Sequence, residues 1–285
     1  MRLDDFDPNA IDVVDQRGSG FSVGGAGGRI GCGTIAIALI AYFVFGVDPT
    51  QMIGSIDQTT QQGPVETKGG TTTEESCTLN PYSREACNAL SSLNKTWEPL
   101  FAEDGIAFKR PTLNFYSQMG RSGCGAAQSA MGPFYCPTDG GIYIDTDFYD
   151  EMEKRMGAGG DFARAYVMAH EYGHHIQALT GLANEIRGAQ QQSPSRANNL
   201  QVRMELQADC YAGVWAARNK DRIEAGDIEE GLNAAHQIGD DTLTGGRAPE
   251  SAFTHGSSAQ RMEWLRKGLQ TADEDQCDTF ADLRR

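Results

Sequence analysis

The sequence predicts an α+β fold rich in helix, set behind a single N-terminal transmembrane helix. Three observations lead there. Apolar residues recur at helical spacing through most of the chain beyond residue 84, only two short stretches alternate like strands, and the apolar run from Ile30 to Val47 holds no charge. That run is close to the roughly 20 residues needed to cross a bilayer as a helix. Residues 1–29 precede it, and Phe45-Gly46-Val47-Asp48-Pro49 lacks the small-x-small pattern of a cleavage site, so it reads as a retained anchor rather than a signal peptide. Arg2, Arg17 and Arg29 lie before the run and only Lys68 lies soon after it, which places the N-terminus in the cytoplasm and the rest of the chain outside. The aspartates of the tail (Asp4, Asp5, Asp7, Asp12, Asp15) contribute little to that rule.

The expected organisation is a cytoplasmic tail over 1–29, a transmembrane helix over 30–47, a flexible linker over 48–75 and one domain over 76–285. Gln58 to Ser76 is rich in Thr, Gln and Gly with almost no apolar residue, the composition of a tether. Beyond it, Ala86, Leu90, Leu93, Trp97, Leu100 and Phe101 mark an amphipathic helix between Arg84 and Asp104. Thr112 to Ser117 and Gly141 to Asp145 read as strands, and Phe148 to Met156 as a helix. Further helices are expected over Arg196–Lys220, Ile228–Ile238 and Ser258–Leu269, the last opened by a capping box of Ser257 and Gln260.

A formal charge of −15 argues against nucleic acid and anionic lipid surfaces as partners, because such faces need clustered Lys and Arg, and none appears. Of 7 cysteines, Cys32 lies in the apolar run, leaving an even set outside it that suits an oxidising compartment. The expected pairs are Cys77–Cys87, Cys124–Cys136 and Cys210–Cys277, the first two closing short loops.

The most specific signal is His170-Glu171-Tyr172-Gly173-His174. Met168 and Ala169 precede it, Ile176 and Leu179 follow, and Gly181 stops the segment, so it lies on a helix. Histidines four positions apart sit about 40° apart around the axis and can reach one metal ion together. Zinc held by three protein ligands keeps a fourth position for water and lowers its pKa to about 7, and a carboxylate beside that water can take the proton. The motif therefore implies one catalytic zinc ion bound by His170 and His174, with Glu171 as general base. His175, about 100° further round, reads as a packing or hydrogen-bonding residue.

Glu205-Leu206-Gln207-Ala208-Asp209 places two carboxylates on one face of an otherwise apolar helix, where an acid usually has a partner. Glu205 is the expected third zinc ligand. Asp209 is expected to accept the outward ring N–H of a zinc histidine, His170.

The H-E-Y-G-H-H helix, the E-L-Q-A-D-C-Y-A-G stretch, Gly132-Pro133-Phe134-Tyr135-Cys136-Pro137, Ile238-Gly239-Asp240-Asp241 and His255-Gly256-Ser257 together resemble the bacterial family called putative neutral zinc metallopeptidases. The resemblance covers essentially the whole chain, although the aspartate-rich tail stands where a basic segment is expected. It implies a zincin-like fold, His170, His174 and Glu205 as ligands, Glu171 as base, a peptide or protein substrate, and a bacterial inner membrane with the catalytic domain in the periplasm. By analogy with zincin-like enzymes, Ile142 to Asp145 is either an edge strand that pairs with extended substrate or an ordinary interior strand. Of the remaining histidines, His236 and His255, the latter is the favoured donor to the oxyanion because it matches the family's His-Gly-Ser stretch, with a structural role as the alternative, and Asp240-Asp241 is either a cation site or a turn. A zinc-binding pseudoenzyme acting as a membrane-tethered interaction module is the alternative.

Overall fold

The computed structural model describes residues 1–18 and 71–282. Strand β1 (Asp12–Asp15) is followed by helices α1 (Thr73–Thr78) and α2 (Pro81–Glu103) and strands β2 (Thr112–Tyr116), β3 (Met119–Ser122), β4 (Gly125–Gln128), β5 (Phe134–Cys136) and β6 (Gly141–Asp145). Helices α3 (Asp147–Met156), α4 (Asp161–Leu179), α5 (Leu182–Gln192), α6 (Ala197–Arg218), α7 (Asp227–Gln237), α8 (Asp240–Leu243) and α9 (Ser258–Thr271) complete the chain. The fold is the helix-rich α+β type that the periodicity predicts. Helix α2 begins three residues before the expected start, because Asn80 accepts a hydrogen bond from Ser83 N at 2.8 Å and Pro81 suits the first turn. Helix α9 carries the Ser257/Gln260 capping box.

The sheet has the order β1-β2-β6-β5, with β1, β2 and β6 parallel and β5 antiparallel to β6. Of the two readings of Ile142 to Asp145, the structure takes the interior one: β6 is paired on both sides and buried throughout. The edge strand beside it is β5. Strands β3 and β4 form a separate hairpin.

Residues 1–18 pack onto this body. Strand β1 pairs with β2 from Asp12↔Thr112 to Asp15↔Phe115, and Met1, Phe6 and Ile11 join the main core. The Met1 amine lies 2.8 Å from both Asp161 and Asp227. The tail's aspartates meet arginines on the same body: Asp4 pairs with Arg222, Asp5 with Arg84, and Asp15 with Arg17, whose guanidinium also covers the Phe115 ring. The run from Ile30 to Val47, with most of the expected linker, lies outside the described residues, and no described helix is long and apolar enough to cross a membrane.

Helix α4 packs between α2, α6 and α7, and α9 lies along α6. Two crossings are set by glycine. A Cβ on Gly268 would come within 2.0 Å of the Cys210 carbonyl oxygen, and one on Gly213 within 2.3 Å of the Leu265 carbonyl oxygen, so α6 and α9 touch backbone to backbone. A Cβ on Gly173 would lie 2.8 Å from Ala208 Cα, so the glycine inside the histidine motif draws α6 against α4.

The cysteines pair as expected, Cys77 with Cys87, Cys124 with Cys136 and Cys210 with Cys277. The last spans 67 residues and ties the C-terminal segment to α6, whereas the first spans 10. Loop-closure entropy then predicts that Cys277→Ser with Cys210→Ser costs about 4 kcal/mol and the corresponding Cys77/Cys87 pair about 2.5–3 kcal/mol, read from urea midpoints. Equal losses, or a larger loss at the short loop, would contradict that account.

Candidate metal centre

The first histidine, the glutamate and the second histidine of the motif sit on α4, which is a helix because Phe162, Ala163, Tyr166, Val167, Met168, Ala169 and Ile176 supply a buried surface along its length. The Gly173–Ala208 contact brings the middle of α6 within reach of that face. Glu205 Oε2 then lies 3.2 Å from His170 Nε2 and 3.5 Å from His174 Nε2. The three residues form a set whose ligand atoms lie within 4.8 Å of one another. Donors on a tetrahedron with bonds of about 2.0–2.1 Å stand about 3.3–3.4 Å apart, so both measured separations fit one zinc ion. Two imidazoles and a carboxylate are also the donor types that catalytic zinc takes. The expected ligands are all brought together.

Each ligand's other polar atom is held in turn. Asp209 Oδ1 lies 2.8 Å from His170 Nδ1, and Gln177 Oε1 lies 2.9 Å from His174 Nδ1. Both contacts take the proton on Nδ1 and leave the Nε2 lone pair for a metal. Gln177, fully buried, donates to the Met204 carbonyl at 2.7 Å and to Gln207 Oε1 at 3.0 Å. Gln201 Nε2 donates to the remaining Glu205 oxygen at 2.7 Å.

Asp209 is fully buried, and burial alone would raise its pKa, but Arg261 and His170 outweigh that and hold it down at about 2. Glu205 is likewise driven well below the ordinary carboxylate range, as His174 and His170 overcome the cost of burial. Glu171 goes the other way. Its carboxyl is raised chiefly by desolvation, against the pull of the two motif histidines, and no hydrogen bond from the described residues holds it. A desolvated carboxylate left free of partners beside the ligand set suits proton transfer.

His175 is not part of the set. Its Nε2–H donates to the Lys109 carbonyl at 2.6 Å, and Nδ1 lies 3.1 Å from the Tyr135 hydroxyl. Desolvation dominates and lowers its pKa from 6.5 to about 4. The folded state therefore resists a proton that the unfolded chain takes up below pH 6.5, so this residue's contribution falls as pH drops toward 4. From pH 7 to pH 5 the loss is about 2 kcal/mol. The unfolding free energy of His175→Gln should lack that share of the decline; an identical decline in both proteins would refute the assignment.

Asp240 and Asp241 anchor a loop. Asp240 Oδ2 accepts hydrogen bonds from Thr254 N, His255 N and Gly256 N at 2.7, 2.7 and 3.2 Å, and its Oδ1 lies 3.0 Å from His255 Nδ1. Asp241 accepts from Ser258 N and Oγ, both at 2.7 Å. This is the turn reading of that pair. The loop rests on α6 around Val202, one turn before the third ligand, and Leu206, the residue after it, close enough for His255 to act electrostatically on Glu205.

The residues missed in the sequence are Tyr166, Gln177, Gln201 and Arg261. Arg261 had a signal: Ser258, Arg261, Leu265 and Gly268 form the buried stripe of α9, and an arginine at such a position needs an acid.

The profile of the family described as putative neutral zinc metallopeptidases matches residues 6–280. The chain belongs to this family. Among its relatives is the uncharacterized protein YpfJ of Escherichia coli (strain K12), 42% identical over 285 residues that span 94% of this chain and 95% of that protein. An uncharacterized protein of Mycobacterium tuberculosis (strain ATCC 25618 / H37Rv) is 42% identical over 207 residues, 67% of this chain and 68% of its own length. No solved structure matches the chain. The family points to zinc and to peptide bonds, and the donor set on α4 and α6 is where this member of the family can hold the ion.

Proposed function

We propose that this protein is a zinc-dependent peptidase in which His170, His174 and Glu205 hold one zinc ion and Glu171 is the general base. The observation that carries the reading is the pair of near-equal separations, 3.2 and 3.5 Å, from the Glu205 carboxylate to two histidine nitrogens whose tautomers are already set. Zinc bound there supplies a water whose pKa is lowered to about 7. Glu171 takes a proton from that water as its oxygen attacks the peptide carbonyl carbon, then passes the proton to the amine nitrogen as the C–N bond breaks. His255, with Nδ1 engaged by Asp240, has Nε2 available to the carbonyl oxygen as charge develops on it. Strand β5, the edge of the sheet that lies beside α4 through the Tyr135–His175 contact, is the one on which an extended substrate could pair.

The test uses the full chain in detergent, because residues 1–18 are part of the fold. Zinc-loaded protein is incubated with a mixture of unfolded peptides and new termini are read by mass spectrometry beside the Glu171→Gln form. Cleavage by the unsubstituted protein alone supports the reading, and slower formation of the same products by His255→Ala supports the donor role. Zinc retained with no cleavage in either form would favour a metal-binding interaction module instead.

The three disulfides support an oxidising, extracytoplasmic compartment for the domain, with residues 1–18 on the same side. Six free thiols outside the apolar run, in protein trapped directly from cells, would overturn this placement.

A further inference from the structure

We propose that Arg261 is a positioning residue of the metal centre, fixing the Asp209 carboxylate on His170 and joining the ligand helices to the His255 loop. The proposal rests on the zinc reading above and adds a residue outside both ligand helices. Arg261 is 2% exposed. Its Nε donates to Asp209 Oδ2 and one terminal nitrogen to Asp209 Oδ1, both at 2.9 Å, a two-point grip that a guanidinium makes and an ammonium cannot. The same terminal nitrogen lies 3.3 Å from the Tyr166 hydroxyl and from His170 Nδ1, while the other donates to the Ile238 carbonyl at 3.2 Å. Tyr166 completes the cluster by donating to Asp209 Oδ1 at 2.6 Å.

The physical need is clear once a metal occupies His170. The imidazole is then neutral, and Asp209, fully buried, has no cation facing it among the described residues except Arg261. Without the guanidinium the buried carboxylate loses the two hydrogen bonds that hold it and is free to turn away, which releases Nδ1. The grip also fixes where Asp209 points, which sets the orientation of the ring carrying the ligand atom. Arg261 stands one helical turn beyond the Ser257 cap, and the bond to Ile238 reaches the segment that leads into Asp240. A single side chain therefore spans the ligand histidine, the third-ligand helix and both ends of the loop presenting His255.

The test measures Zn2+ affinity by chelator competition and the visible spectrum of the Co2+-loaded full chain, for the unsubstituted protein, Arg261→Gln, Asp209→Asn and the double substitution. Each single change should weaken metal binding about 10–100-fold and alter the Co2+ bands, and the double change should weaken it no further, since both break one unit. Unchanged affinity and spectrum in Arg261→Gln would overturn the proposal, even if the protein melts earlier, since a purely structural arginine moves only the melting temperature. Additive losses would overturn it too. If Arg261→Gln does not fold, Arg261→Lys is read instead: weaker binding despite the retained charge supports the two-point grip, and full affinity refutes it. An unsubstituted protein that takes up no Zn2+ would remove the zinc reading and this proposal together, whereas tight Zn2+ binding indifferent to Arg261 removes only the latter.

Discussion

Glu171→Gln is expected to lower turnover by about 10²–10⁴-fold while zinc remains bound at one ion per chain. That corresponds to about 2.7–5.5 kcal/mol of lost barrier reduction. The substitution keeps size and position but removes the ability to accept a proton, and nothing else at the site offers a replacement: Glu205 and Asp209 are committed to the histidines and to Arg261. Glu171 makes no hydrogen bond that positions a ligand, so metal affinity should change little. Cleavage rates with metal content measured on the same samples decide it. Normal turnover by Glu171→Gln would eliminate the proposed base, and loss of zinc would mean that Glu171 binds metal rather than moving protons.

The second large effect is expected at Glu205. Glu205→Ala leaves two histidines to hold the ion and removes the one negative charge among the ligands, so Zn2+ affinity should fall by more than the roughly 100-fold that accompanies loss of a supporting hydrogen bond. The same change leaves Gln201 Nε2 and both histidine Nε2 atoms without their present partner. Glu205→Gln, which restores an oxygen at nearly the same place but no charge, should recover part of the affinity. Chelator competition across the three proteins tests this order. Equal affinity in all three would mean that the third ligand lies elsewhere.

The candidate metal centre was legible in the sequence to the extent that it is local. His170, Glu171 and His174 share one helix, and the four-residue spacing alone puts the two histidines on one face. Glu205 and Asp209 could be read because two acids on an apolar helix demand partners, although their distance from the histidines depends on the Gly173–Ala208 contact, which no periodicity announces. Arg261 and the Asp240–His255 loop lie far along the chain and are placed by tertiary packing. Strands β1, β3, β4 and β5 went unread because each is only 3 or 4 residues long, too short for alternation to register. The contacts of the N-terminal residues were not legible either, because composition is the same whether or not Asp4, Asp5 and Asp15 pair with Arg222, Arg84 and Arg17.

The ladder between β1 and β2 has a consequence for the order of events during synthesis. Asp12 is made 100 residues before its partner Thr112. It emerges first and waits. Closing so long a loop carries an entropic cost that grows with the logarithm of its length and must be met before the pairing stabilises anything. The sheet's first strand is therefore expected to join late, onto a helical body that has already assembled. Until it does, the open side of β2 is an unpaired edge of the kind that invites association with another chain. Any cellular factor that shields nascent chains would act in that interval, and the yield of correctly folded protein would be decided there rather than at the metal centre.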